Sequence, residues 1–301
     1  MKRLGLFLLI SFGFSWLVAL VIGLFGMYSN YEKYGFILTI LLIIYMFGPA
    51  LASLVVQKID GKRLSDLGIS FKFNIWWIWG ILSIVLVAII NVFFIFILGG
   101  GFNSTWEQFR NSIVSLYSSK GVSNDVIIGQ LEKVGKSVGY NVFIYYAIVV
   151  ISGVAAGITI NALAAFGEEL GWRGFLFEEF KSLGFVKSSF LIGGLWGVWH
   201  APLIAMGHNF PNHPFEGIFV MVIFCVVFSF IMNYFREKSG SVILSSMMHG
   251  VLNGIAGLGV ITSSVRNDIL YNIVGISGIV SVMVILGIII LDKKLFWVKE
   301  V

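Results

Sequence analysis

Charged and histidine side chains are scarce in this sequence, and several stand inside long apolar runs, where ionisable groups are costly. Glu168 and Glu169 continue one hydrophobic run, while His200 and His249 lie within two others. A carboxylate beside an imidazole can take a proton from water, which is the role of a general base. An imidazole and an amide one helical turn apart, as in His249 and Asn253, can donate hydrogen bonds to a developing oxyanion. These residue types permit hydrolysis of an amide or an ester.

The spacing of the polar residues divides them by role. Glu169 and Arg173 are four residues apart, so they can pair along one face of a helix. Glu168 points about 100° away from that face and stays free for another task. Trp196 stands one helical turn before His200 and is expected to form part of the cavity wall. Pro202 predicts a bend in that helix.

A metal ion is an open alternative. Glu168, His200 and His249 could supply three zinc ligands, and zinc would then activate a bound water. The single cysteine, Cys225, lies in an apolar run, so it can form neither a disulfide framework nor a CxxC zinc site. No strong serine or cysteine nucleophile accompanies the histidines, and the HExxH pattern of zinc proteases and the GxGD pattern of aspartyl intramembrane proteases are missing. From the residues alone, a proton relay in a transporter remains equally open.

The elements that must position these residues follow from composition. The chain has 301 residues, of which 58% are hydrophobic and 12% charged, and its net charge of +5 is spread over many loops. These values exclude a soluble domain, a disordered tail and a nucleic-acid binder. They predict an all-α polytopic membrane protein with one membrane domain over residues 1–301, and the polar residues described above place its candidate site at about 140–260. About eight transmembrane helices are expected, at 4–27, 35–57, 75–98, 142–167, 186–206, 216–235, 241–260 and 269–291.

The distribution of positive charge predicts the orientation. With the N-terminus in the cytoplasm, fourteen Lys and Arg residues fall inside and six outside. An even number of spans returns the C-terminus to the cytoplasm, where Lys293 and Lys294 fit. Taking Arg173 as the inner boundary, the helical rise places the buried Glu and His groups in the cytoplasmic half of the membrane. We therefore expect one polar cavity opening to the cytoplasmic side, and the Ile-, Phe- and Lys-rich composition favours a prokaryotic plasma membrane.

Two outer segments carry polar residues outside the predicted site. In the loop at about 100–140, Ser104 and Glu107 resemble a capping box, and an amphipathic helix follows. A second short helix is expected at 124–135, giving an interfacial hairpin that lies on the membrane. His208 and His213 lie in a Pro-containing outer loop and are expected to be ordinary loop residues.

The polar residues also form recognisable motifs. The run from Glu168 to Arg173 resembles the EExxxR motif of the CPBP (Abi) family of intramembrane proteases, which are related to the type II CaaX prenyl endopeptidases. His200 matches the histidine of the second motif, FxxxH, and His249 begins the third, HxxxN. The order and spacing fit over about residues 140–260. Trp196 stands where the second motif usually has Phe, which implies a changed cavity wall rather than lost activity.

The resemblance implies an intramembrane endopeptidase that acts on a membrane-associated peptide or protein. Glu168 would activate water with help from His200, and Glu169 and Arg173 would support the site or orient the substrate. The third motif, His249 with Asn253, would stabilise the oxyanion. Members of the family have been described as metalloproteases and as metal-independent glutamic proteases, and we favour water activation without a tightly bound metal. The alternatives are a bacteriocin-immunity or signalling scaffold of the same family, and a proton-coupled transporter.

Overall fold

The computed structural model describes residues 2–118 and 122–291, and all regular secondary structure in this part is helical. The all-α prediction is confirmed. In chain order the α-helices are α1 Lys2–Leu24, α2 Tyr31–Met46, α3 Gly48–Ile59, α4 Ile75–Ile95, α5 Trp106–Ser118, α6 Asn124–Ser137, α7 Val142–Gly157, α8 Ile160–Glu169, α9 Phe177–Phe180, α10 Phe185–Trp199, α11 Ala201–Ala205, α12 Pro214–Ser239, α13 Val242–Ile255, α14 Leu258–Thr262, α15 Asp268–Tyr271 and α16 Ile276–Ile290. Two 3₁₀ turns span Leu64–Leu67 and Lys181–Leu183, and two π-helical segments span Phe96–Gly100 and Leu170–Leu176.

The helices are those of an integral membrane protein. Among the described residues, six are long and apolar enough to cross a membrane: Lys2–Leu24, Tyr31–Ile59, Ile75–Gly100, Pro214–Ser239, Val242–Thr262 and Asp268–Ile290. The count becomes seven if α6 and α7, which meet at 93°, form one span. Large apolar side chains such as Phe36, Leu24 and Leu163 are more than two-thirds exposed, as expected for residues that face lipid.

The predicted count of eight spans is not confirmed, because two of the expected segments are broken. The segment 142–167 changes helix at Ile158 and Thr159, where α7 ends and α8 begins. The segment 186–206 breaks at His200, between α10 and α11. Pro202 explains this second break, because it cannot donate a backbone hydrogen bond to the preceding turn. The second break therefore lies at a residue of the predicted site, and the first lies one helix before Glu168.

Glycines bring the helices of the site close together. A Cβ at Gly250 of α13 would clash with the carbonyl oxygen of Gly157 at the end of α7. A Cβ at Gly193 of α10 would likewise meet the backbone of α12 at Cys225 and Val226. Small residues allow such close helix packing in membranes, where burial of apolar area gives little drive to association.

The helical hairpin between α4 and α7 is present, with its cap displaced by one residue. Thr105 Oγ1 accepts a hydrogen bond from the Gln108 backbone N–H at 3.2 Å, and Gln108 Oε1 accepts one from the Thr105 N–H at 3.2 Å. The capping box is therefore Thr105–Gln108 rather than Ser104–Glu107, because Gln108 reaches back to the first free amides. The hairpin packs on α7 through buried Phe109, which lies 5.0 Å from the Tyr145 ring.

Two of the charges that were used to predict the orientation are buried in the protein. Arg173 is fully buried, so it is not the boundary marker that the sequence suggested. Arg236 is also buried and donates to the backbone carbonyls of Arg173 and Leu67. The charge count treats both as charges of inside loops, although both side chains are buried and bind other parts of the protein. Lys293 and Lys294 lie outside the described residues.

Candidate active site

The first motif lies where a regular helix changes to a wider one. Helix α8 ends at Glu169, and the chain continues as the π-helical segment Leu170–Leu176. Segments of this kind occur frequently at functional sites. Glu168 is 2% exposed, while Glu169 and Arg173 have no exposed surface. Three ionisable groups are thus buried within six residues, and each needs a partner.

Glu169 is bound on two sides. Its Oε2 lies 3.2 Å from Arg173 Nη1, which is the pair that the spacing predicted, and its Oε1 lies 2.8 Å from His249 Nδ1. Arg173 Nη2 donates to Ser229 Oγ of α12 at 2.8 Å. Because a carboxylate can only accept, His249 Nδ1 carries the proton of its bond to Glu169, which leaves Nε2 as the free ring nitrogen. This buried network joins the first motif to α12 and α13.

Glu168 has a different environment. Its Oε2 accepts a hydrogen bond from the indole Nε1 of Trp196 at 2.7 Å, and the carboxylate lines a cavity. Glu168 therefore points away from the face that Glu169 and Arg173 share, as the helical spacing predicts. Two adjacent glutamates thus face opposite surroundings, one a paired network and the other open space.

His200 lies at the break between α10 and α11. Its Nδ1 is 2.8 Å from the Trp196 carbonyl oxygen, so Nδ1 donates and Nε2 keeps a lone pair. The Leu203 N–H bonds to the His200 carbonyl and not to that of Trp199. The Trp199 carbonyl is instead bound by the Tyr45 hydroxyl and by the Trp16 indole. Side chains from α1 and α2 thus satisfy the carbonyl that the break leaves free.

The cavity brings together four of the six predicted site residues. It has a volume of about 330 Å³, and Glu168, His200, His249 and Asn253 all line it. The Asn253 side chain is exposed there and makes no hydrogen bond within the described part of the chain. Glu169 and Arg173 do not line the cavity. The remaining wall is mainly apolar and aromatic and includes Tyr45, Trp196, Trp199, Met221, Phe224, Cys225 and Leu252.

His208 also lines this cavity, contrary to its assignment as an ordinary loop residue. Burial lowers the pKa of His208 to about 4, and its Nδ1 lies 2.9 Å from the Tyr28 hydroxyl. His213 fits the sequence prediction better, because it is partly exposed and pairs with Asp268 at 2.6 Å. Nothing in the local sequence separates the two histidines, since only the folding of the loop over the cavity buries one of them.

The three proposed zinc ligands do not form a metal site in this arrangement. Within residues 2–118 and 122–291, no group of three His, Cys, Asp or Glu side chains is placed to hold a metal ion. The residues present therefore do not fit a three-ligand zinc centre.

Comparisons with known proteins agree with the motifs. Residues 143–255 match the family described as type II CAAX prenyl endopeptidase Rce1-like, and all six predicted site residues lie in this range. The chain is also 32% identical over 146 residues to CAAX prenyl protease 2 of Methanococcus maripaludis, covering 46% of this chain. It spans about half the length of that curated relative. The predicted resemblance is confirmed: residues 143–255 are similar to the CPBP and CAAX protease family of membrane endopeptidases.

Proposed function

We propose that this protein is an intramembrane endopeptidase that hydrolyses a peptide bond with water activated by Glu168. The observation that carries the proposal is the shared cavity, in which groups from all three motifs meet among membrane helices. The match to CAAX endopeptidases over residues 143–255 supports the same reaction class. The substrate is a membrane-associated peptide or protein.

Glu168 is the general base. Its Oε2 is held by Trp196, so Oε1 is the oxygen available to take a proton from water. His200 assists, because its Nδ1 is engaged and the lone pair of Nε2 can accept a hydrogen bond from the same water. The activated water then attacks the peptide carbonyl carbon, and the proton held on Glu168 passes to the leaving amine.

His249 and Asn253 stabilise the oxyanion. They lie one turn apart on α13 and both line the cavity. For Nε2 of His249 to donate, the ring must carry both protons, and the Glu169 carboxylate at Nδ1 stabilises that imidazolium. The Asn253 amide has no competing partner within the described residues, so it is free to donate as well. Such donors each contribute about 10²–10³-fold to rate in other enzymes.

Glu169 and Arg173 are positioning residues in this scheme. Both are buried away from the cavity, which favours the supporting role over the substrate-orienting one. Their pair places His249 through Glu169, and Ser229 holds the far side of the guanidinium. Neither residue needs to contact substrate.

The side of the membrane on which the cavity opens is a separate proposal. The cavity wall includes His208 and Asn209, from the loop that the charge count places outside. If the cavity opens to the cytoplasm beside this loop, the loop lies on the cytoplasmic side. The predicted orientation places the same loop outside, so the two predictions disagree. Labelling an Asn209→Cys variant in a Cys225→Ser background, from each side of sealed vesicles, identifies the side on which the loop lies.

The proposed function is tested by comparing wild-type protein with Glu168→Gln in the native membrane. New protein N-termini are mapped by mass spectrometry, with equal expression and thermal stability as folding controls. Termini that appear only with wild type support proteolysis and identify the substrates. Identical terminal profiles would refute the proposal and favour the scaffold alternative.

A further inference from the structure

One residue in the cavity wall contacts groups from all three motifs. The Trp196 indole N–H donates to Glu168 Oε2, and the Trp196 carbonyl accepts from His200 Nδ1. The Arg173 guanidinium carbon lies 4.4 Å from the centroid of the indole ring. The His249 ring packs edge-on against the same indole, at 5.4 Å between centroids. Trp196 therefore touches the base, its assistant and the network behind them.

Trp199 shows that aromatic bulk alone does not account for these contacts. It lies one turn further along α10, is equally buried and lines the same cavity. Its indole N–H, however, has no hydrogen-bond partner among the described residues. The two tryptophans thus have similar burial, and only one of them binds Glu168 through its N–H.

The contacts of Trp196 have a consequence for geometry. A hydrogen bond to a carboxylate is shorter and stronger than one between neutral groups, and it fixes which oxygen stays free. The bond from His200 to the Trp196 carbonyl fixes the imidazole tautomer, so that Nε2 keeps its lone pair. Since donor and acceptor belong to the same residue, Trp196 sets where Glu168 Oε1 and His200 Nε2 stand relative to each other.

We propose that Trp196 is a positioning residue that holds the Glu168 carboxylate through its indole N–H in the orientation that activates water. The inference rests on the proposed function, because it concerns how that base is oriented. The proposed role of Trp196 goes beyond filling space in the cavity wall, because it depends on a hydrogen-bond donor. The N–H is the part of the side chain that matters, while the ring also supports Arg173.

The test compares Trp196→Phe with Trp199→Phe. The probe is an internally quenched peptide that copies a cleavage site lost in Glu168→Gln membranes. Phe keeps an aromatic ring and the backbone bond to His200, and it removes the donor to Glu168. We expect kcat of Trp196→Phe to fall about 10–100-fold with KM changed less than about 2-fold, because the lost bond to a charged group acts on chemistry rather than binding. Trp199→Phe, which changes the same cavity wall without removing a donor to Glu168, is expected to lower kcat less than Trp196→Phe does.

A second variant keeps the test valid if Trp196→Phe folds poorly. Replacing Trp196 by benzothienylalanine preserves the shape of the indole and substitutes sulfur for the N–H, so kcat should fall to the same extent as in the Phe variant. Unchanged kcat in the benzothienyl variant, or equal losses in the Trp196 and Trp199 variants, would overturn the inference while Glu168 remained essential. Absence of any Glu168-dependent cleavage site, or cleavage of the peptide by Glu168→Gln, would instead refute the proposed function, and the inference would fall with it.

Discussion

The two regions beside the EExxxR run differ in how their polar groups are satisfied. Behind the cavity, Glu169 and Arg173 are joined to each other and to His249 by direct contacts, and neither Glu169 nor Arg173 lines the cavity. Facing the cavity, Glu168 accepts a hydrogen bond from the neutral Trp196 indole and makes no ion pair within the described residues, and Asn253 has no hydrogen-bond partner there. Buried polar groups are costly unless paired, so the unpaired groups in the cavity are the ones available for chemistry. The difference indicates that adjacent glutamates have separate tasks.

The largest expected effect is on catalysis by the cavity-facing glutamate. Glu168→Gln should lower kcat by about 10²–10⁴-fold, because the amide cannot take a proton from water. Stability should stay within about 1 kcal/mol of wild type, since a buried neutral amide can still accept the hydrogen bond from Trp196. Cleavage of the quenched peptide and thermal unfolding in detergent provide the two measurements. A loss of activity matched by a loss of folding would remove the distinction between the two regions.

The next effect is on stability, from the network behind the cavity. Arg173→Met should destabilise the protein by about 3–5 kcal/mol, because it leaves the Glu169 carboxylate buried without its cation. Chemical denaturation is the measurement. Arg63→Met is the matched control: Arg63 pairs with Asp66 at the surface, and its loss should leave stability nearly unchanged. If both variants unfold at the same denaturant concentration as wild type, the buried pair is not a structural unit.

A third prediction concerns Asn253, the proposed oxyanion donor, which makes no hydrogen bond within the described residues. Asn253→Ala should lower kcat by about 100-fold, in the range found for removing one such donor. Its melting temperature should not change, because the amide makes no hydrogen bond that the substitution would break. Asn161→Ala is a control on α8, where the amide contacts the Gly250 carbonyl at 3.4 Å and does not line the cavity. Equal kinetics of Asn253→Ala and wild type would contradict the role in catalysis.

The smallest predicted effect is a pH dependence of stability that arises at the end of the cavity formed by the loop that carries His208. The pKa of His208 is lowered from 6.5 to about 4 by burial, so below pH 6.5 the unfolded chain binds a proton that the folded protein does not. Stability therefore falls as pH decreases from about 6.5 to 4, and this group accounts for about 2 kcal/mol between pH 7 and pH 5. The titratable groups that face it are Tyr28 and His200.

His208→Gln tests this prediction through melting curves at pH 7 and pH 5. The variant should lose less stability than wild type on acidification. An unchanged pH response in His208→Gln would show that His208 is solvated in the folded protein and does not form part of the cavity wall.

Much of the site could be predicted because its signals are local. The pairing of Glu169 with Arg173 follows from helical spacing. An ionisable residue in an apolar run indicates a functional site, because burying its charge in a membrane costs free energy. The bend near His200 follows from Pro202, although the number of uninterrupted spans does not, since hydropathy cannot distinguish one long helix from two short ones. The contacts that required the structure all join distant segments. The hydrogen bond from the Trp196 indole to Glu168 joins residues 28 positions apart, and the hydrogen bond between the Tyr28 hydroxyl and His208 joins residues 180 positions apart.

The most direct test of the division of tasks compares Glu168→Gln with Glu169→Gln in the same native membrane. Protein N-termini and melting temperature are measured for each variant beside wild type. We predict that Glu168→Gln eliminates the new termini without lowering the melting temperature. Glu169→Gln should lower the melting temperature and retain part of the cleavage. Termini that persist in Glu168→Gln membranes at wild-type abundance would contradict the assignment of Glu168 as the base.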